Sequence, residues 1–95
     1  MLKKFIIERD VPGIGNNNTE GFCNVAKASN TVLDALGNDI QWQESFIAAD
    51  KTYCVYLAKD ENIIREHARQ SGFPANRISE VKRIIDPSTA VKSIV

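Results

Sequence analysis

Histidine is almost missing from this chain of 95 residues: there is one, His67, alongside one tryptophan, two cysteines and three prolines. With a single imidazole the run REHAR (65–69) is not HExxH, so a zinc-protease site is excluded. No Ser-His-Asp arrangement can be assigned on one histidine either. An excess of charge of either sign is also missing. Twelve basic and twelve acidic residues cancel, which argues against nucleic acid as a partner and against a polybasic membrane dock. No stretch approaches the ~20 apolar residues of a membrane-spanning helix. The opening MLKKFIIERDVPG is too short and too soon charged for a signal peptide. Cys23 and Cys54 lie far apart and form no CxxC pair. Without an export signal they read as reduced thiols of a cytoplasmic protein.

What is present is ordinary for a globular domain: 43% apolar and 25% charged residues. A chain this long has material for one modest core, and we expect one domain over residues 1–87 with a tail over 88–95. LKKFIIER (2–9) has the Phe and Ile content of a strand. DVPGIGNNN breaks it. TEGFCNVAKASNTVLDAL (19–36) repeats apolar residues at helical spacing, with Asn18 or Thr19 to cap it and Gly37 just past its end. IQWQESFIA and TYCVYLA read as two strands around a tight turn near Ala49-Asp50-Lys51. In KDENIIREHARQSG, Asp60 is the N-cap, Glu61 favours the positive amino end and Gly72 closes a second helix. RISEVKRIID (77–86) reads as a last strand, and the tail PSTAVKSIV as a loosely packed segment or one that reaches a partner chain.

The order βαββαβ predicts an α+β fold, the ferredoxin-like plait. In it a four-stranded antiparallel sheet carries two helices on one face. The other face would be bare in a monomer. Yet the third strand is apolar or aromatic on both parities: Tyr53, Val55 and Leu57 on one, Cys54 and Tyr56 on the other. A strand covered on one side should alternate with polar residues. A second copy of the sheet is the simplest cover, so we expect a homodimer through the sheet face.

His67 is the first site candidate. Ile63, Ile64 and Ala68 share its side of the second helix, so it should face the sheet. If Trp42, Glu44 and Phe46 share a parity that points under the helices, Glu44 can meet His67 as a carboxylate–imidazole pair, the arrangement that orients a ligand or base. The plainer alternatives are a buried structural hydrogen bond, or a histidine at the helix edge with its polar tip in water. Cys54 and Tyr56 would then lie on the opposite face, which separates Cys54 from the other two donors, and one β-bulge would reverse that. Cys, Glu and His are all acceptable ligands for a borderline divalent metal. GIGNNN invites a phosphate-loop reading, but Asn18 stands where the fingerprint wants a third glycine, and a turn plus a helix cap explains the run. Arg65 and Arg69 could grip an anion, or form a solvated face with Glu61.

Trp42, Ser45, Phe46, Asp50, Lys51, Cys54, Tyr56 and Ala58 form the pattern W-x-x-S-[YF]-x-x-x-D-K-x-x-C-x-Y-x-A. Ile64, Arg65 and Ala68 follow, then Gly72 and Pro74, then Asp86-Pro87. This pattern resembles domain of unknown function family 4242, small bacterial proteins of which some are described as nickel-binding. The resemblance runs from Phe5 to Pro87 and implies a ferredoxin-like fold, a dimer, and a divalent transition metal of the nickel type. Some members carry a histidine beside the strand-two Trp, where this chain has Gln43 and Glu44.

Three functions follow as expectations. One is a metal-binding protein with Glu44, Cys54 and His67 as ligands. The second is a small-molecule binder or enzyme of the dimeric α+β barrel kind, with Tyr56 and Arg65 positioning the ligand. The third is an interaction module that uses the sheet face.

Overall fold

A computed structural model describes residues 1–92. Strand β1 (Lys3–Asp10) leads through a short 3₁₀ turn to helix α1 (Thr19–Leu36). Strands β2 (Ile40–Ile47) and β3 (Lys51–Ala58) form a hairpin, helix α2 (Glu61–Ser71) follows, and strand β4 (Arg77–Glu80) returns to the sheet. A last turn of helix, α3, covers Thr89–Lys92. The strands are antiparallel in the order β2-β3-β1-β4. This is the ferredoxin-like plait that the alternation of elements predicts.

Local chemistry sets the helix ends. The Asn18 side chain accepts from Gly21 N at 2.8 Å and the Asp60 side chain from Ile63 N at 3.0 Å. Each therefore satisfies an orphan amide of a first turn. Gly72, at φ 78°, takes the left-handed conformation that ends α2. The GIGNNN segment is a turn tied to the hairpin: Gly13 N donates to Asp50 Oδ1 at 2.8 Å and Gly15 N to Ala49 O at 2.9 Å. A Cβ on Gly15 would stand 2.8 Å from Ala48 O, so only glycine permits this backbone approach.

The expected side-chain parity on β2 needs correction. Trp42 pairs with Tyr56, but Glu44 pairs with Val55, Ser45 with Cys54 and Phe46 with Tyr53. Gln43 is the extra residue of a β-bulge, which flips every side chain after it to the other face. The bulge brings Trp42 and Ser45 to the same side, where the indole N–H donates to Ser45 Oγ at 3.0 Å. In an unbroken strand those two residues would point to opposite faces.

The helices cover the face that carries Phe5, Ile7, Ile40, Cys54, Tyr56 and Ala58, all buried. Ile64 and His67 of α2 and Ser29 of α1 close over it, also buried. Along β3 the buried positions alternate strictly, Thr52, Cys54, Tyr56 and Ala58. Thus Cys54 and Tyr56 face the helices, not the open side.

The last strand is shorter than RISEVKRIID suggests. Phe5 pairs with Glu80 and Val81 N still donates to Lys4 O at 2.8 Å. Beyond that the antiparallel partner runs out, because β1 has few residues ahead of Phe5. Ile84 and Ile85 are left exposed. Of the expected tail, residues 88–92 include the α3 turn, and residues 93–95 lie outside the described residues.

Candidate ligand cavity

Between the sheet and α1 lies a cavity of about 350 Å³. Its floor is the helix-facing side of three strands: Arg9 of β1, Trp42, Ser45 and Ile47 of β2, and Thr52, Cys54 and Tyr56 of β3. Phe22, Val25, Ala26 and Ser29 of α1 form the roof, with Val11, Ile14 and Phe73 from loops. Their placement follows from two periods: every second residue of a strand faces the helices, and residues three or four apart on α1 face the sheet.

Arg9 is the unusual member. It continues the inward parity of Phe5 and Ile7 and is only 4% exposed. One guanidinium nitrogen, Nη1, donates to Pro74 O at 2.6 Å. The other, Nη2, is buried with no hydrogen-bond partner. The guanidinium carbon lies 6.0 Å from the centre of the Tyr56 ring, at the edge of cation–π range. Burial pushes the Tyr56 phenol above its ordinary value, and the Arg9 charge pulls it part of the way back.

His67 is fully buried, as its helical neighbours predict. Its partner is not a carboxylate on β2. Nε2 lies 3.1 Å from Ser29 Oγ, and Nδ1 has no partner. The ring packs tilted against Tyr56, with centroids 5.5 Å apart. Burial first, and then the nearby Arg9 charge, lower the His67 pKa to about 4, with the contact to Ser29 partly opposing them. The imidazole is therefore neutral at pH 7. Ser29 and Tyr56 line the cavity and His67 stands behind them. A Ser–His pair suggests acyl transfer, but nothing orients Nδ1 and a base of pKa about 4 is weak at neutral pH. We read the contact as a structural hydrogen bond.

The other expected site residues are distributed by the bulge. Cys54 and Tyr56 join His67 on the helix side. Glu44 is exposed on the opposite face and does not meet His67. Arg65 is on the solvated side of α2, where Glu61 holds it through Nε at 2.9 Å and Nη2 at 2.7 Å. It is not among the residues that line the cavity, whose one arginine is Arg9. The signal was in the sequence: FIIER sets an arginine in phase with Phe5 and Ile7.

Nickel can be tested against this donor set. Among the described residues no three His, Cys, Asp or Glu side chains converge. Among the described residues the buried side under the helices supplies one imidazole, His67, and one thiol, Cys54, and no carboxylate, with the Arg9 guanidinium beside them. A structural or transport site for such a metal wants three or four converging donors. The residues present do not fit a metal held by one chain alone.

Fold and cavity together define a ferredoxin-like plait with a ligand-sized space between its layers. Residues 5–81 match the family described as nickel responsive protein, SCO4226-like, and the chain belongs to that family. The resemblance read from the Trp42-to-Pro87 motifs is thus borne out. The fold is also similar to the crystal structure of SCO4226 from Streptomyces coelicolor A3(2). The TM-score is 0.72 over 86% of this chain and 99% of that one, at 15% identity. At that identity the likeness concerns the fold alone. No curated protein sequence matches this chain. Among the described residues no helix is long and apolar enough to cross a membrane.

Proposed function

We propose that the protein binds a small, largely apolar molecule in the cavity between its sheet and helices. One observation carries this reading. A space of about 350 Å³, walled by Phe22, Val25, Ile47, Phe73 and the ring of Trp42, is open for an occupant. It falls at the lower end of small-molecule sites and equals about a dozen water volumes. Trp42 is the only tryptophan and lines the cavity, so its emission reports occupancy. Phenylalkyl acids and alcohols should shift that emission saturably, and Ala26→Leu, which fills the roof, should weaken them all. Unshifted emission with every probe would remove this reading.

The family description supports a second reading, in which nickel or another divalent transition metal acts on the protein. Glu44, Cys54 and His67 are its candidate ligands, and because Glu44 lies on the open face while Cys54 and His67 are buried under the helices, a site using all three would require the helices to move. Calorimetry with nickel, cobalt and zinc tests it, and a stoichiometric site lost in His67→Gln is the result it requires. The setting we propose is a cytoplasmic homodimer of a single domain over residues 1–87, with 88–95 as a tail. The free state of Cys23 and Cys54 supports a reducing compartment. Exposed Ile6 and Phe46 on the open face support pairing through the sheet. The same face would serve an interaction module.

A further inference from the structure

We infer that the cavity takes an apolar monocarboxylate, with Arg9 holding its carboxylate group. The inference rests on the ligand-binding reading above and names the class of ligand. It starts from charge. Arg9 is buried, and among the described residues no hydrogen bond or ion pair to an acidic side chain balances it. None of the twelve acidic residues is buried and none lines the cavity. Those nearest in sequence are engaged elsewhere: Glu8 with Arg77 and Asp10 with Lys51, both on the open face. A buried cation without a counter-ion is costly, and so is a buried N–H donor without an acceptor. Arg9 carries both deficits in the wall of a cavity. One carboxylate would relieve both, through the charge-assisted contacts that a guanidinium makes best.

The surroundings narrow the class. Thr52 sits directly across the ladder from Arg9, and the centre of the Tyr56 ring is 6.0 Å from the guanidinium carbon, so two hydroxyl-bearing side chains neighbour the charged end. Ser29 and Ser45 also line the cavity, but their hydroxyls are engaged by His67 and Trp42. Apart from Cys54 the other lining side chains, including Phe22, Ile47 and Phe73, are apolar. There is one cation, so one negative charge balances it. A phosphate dianion would leave a net negative charge buried with no second cation to meet it. A divalent metal would meet a positive charge instead of ligands. The occupant is thus a monoanion with an aromatic or branched apolar body, of about a dozen heavy atoms by volume.

The test compares two probes that differ only at the head group, 4-phenylbutyrate and 4-phenyl-1-butanol, both followed by Trp42 emission and by calorimetry. The acid should bind roughly tenfold to a hundredfold more tightly than the alcohol, the range expected for a hydrogen bond to a charged group. Arg9→Met keeps the length and removes the charge, and should level the two affinities. Arg9→Lys keeps the charge but loses the fork, and should retain part of the preference. Equal binding of acid and alcohol to the native protein would overturn the carboxylate assignment and leave the cavity reading intact. So would a preference that survives Arg9→Met. If neither probe binds, both fall.

Discussion

The two faces of the sheet carry apolar residues on the same strands, yet they behave as different materials. Under the helices Ile7 and Ala58 are fully shielded and Tyr56 nearly so. On the open side Phe46 is 57% exposed, and Tyr53, Val55 and Leu57 are half-buried. Their charges differ more sharply than their hydrophobicity. The open face is charged in pairs that sit in water: Glu8 with Arg77 at 3.7 Å and Asp10 with Lys51 at 3.6 Å. Such pairs are worth little. The covered face has one buried charge, Arg9, and no acid for it. Apolar content alone therefore does not separate a packing surface from a binding surface. An unbalanced charge beside a cavity does.

Substitutions can break or sharpen this contrast. Ile64→Ala on the covered side should cost about 3 kcal/mol, as a fully buried side chain leaves a void. Ile6→Ala on the open side should cost under about 1 kcal/mol in a monomer. Urea unfolding of both gives the ratio, and equal losses would mean the open face is covered in solution. Protonation of His67 comes next. Its folded pKa of about 4 lies below the unfolded value of 6.5. Between those values the unfolded chain takes up a proton that the folded chain refuses. Stability should therefore be complete above pH 6.5 and decline toward pH 4, by up to about 3 kcal/mol. In His67→Gln that slope should disappear from a pH series of unfolding curves.

Loss of the α2 cap in Asp60→Ala should lower stability by about 1 kcal/mol, read as a lower melting temperature. Arg65→Ala and Glu44→Ala should each change stability by less than about 0.5 kcal/mol, since both side chains are solvated. Neither should alter Trp42 emission or its response to 4-phenylbutyrate. A clear effect of Glu44→Ala on ligand affinity would mean that the open face takes part in binding.

The helices were legible because their signals are local. Asn18, Asp60, Gly37 and Gly72 mark ends by chemistry within a few residues, and the apolar spacing of Ile63, Ile64 and His67 placed the imidazole inside. The strands' existence was legible for the same reason. What the strands face was not. Near the turn the odd-sum register holds, since Ser45 pairs with Cys54 and Phe46 with Tyr53. One extra residue, Gln43, then moves Trp42 onto the Tyr56 side and leaves Glu44 on the other. Nothing in WQES announces it, because the hydrogen bond from Trp42 to Ser45 forms only once the bulge exists. Arg9 was overlooked for a different reason. An arginine at a strand end reads as solvated, and only the loop carbonyl of Pro74 and the roof of α1 bury its side chain.

The amino-acid order alone determined the βαββαβ succession, the caps, the turn glycines and the burial of His67. Each depends on periodicity or on contacts a few residues apart. The tertiary structure decided which face of β2 each side chain occupies, that Ser29 and not Glu44 meets His67, and that Arg9 borders a cavity without a counter-ion. Those are contacts between residues tens of positions apart. Their geometry follows from strand register and helix docking, and a shift of one residue in either reverses them.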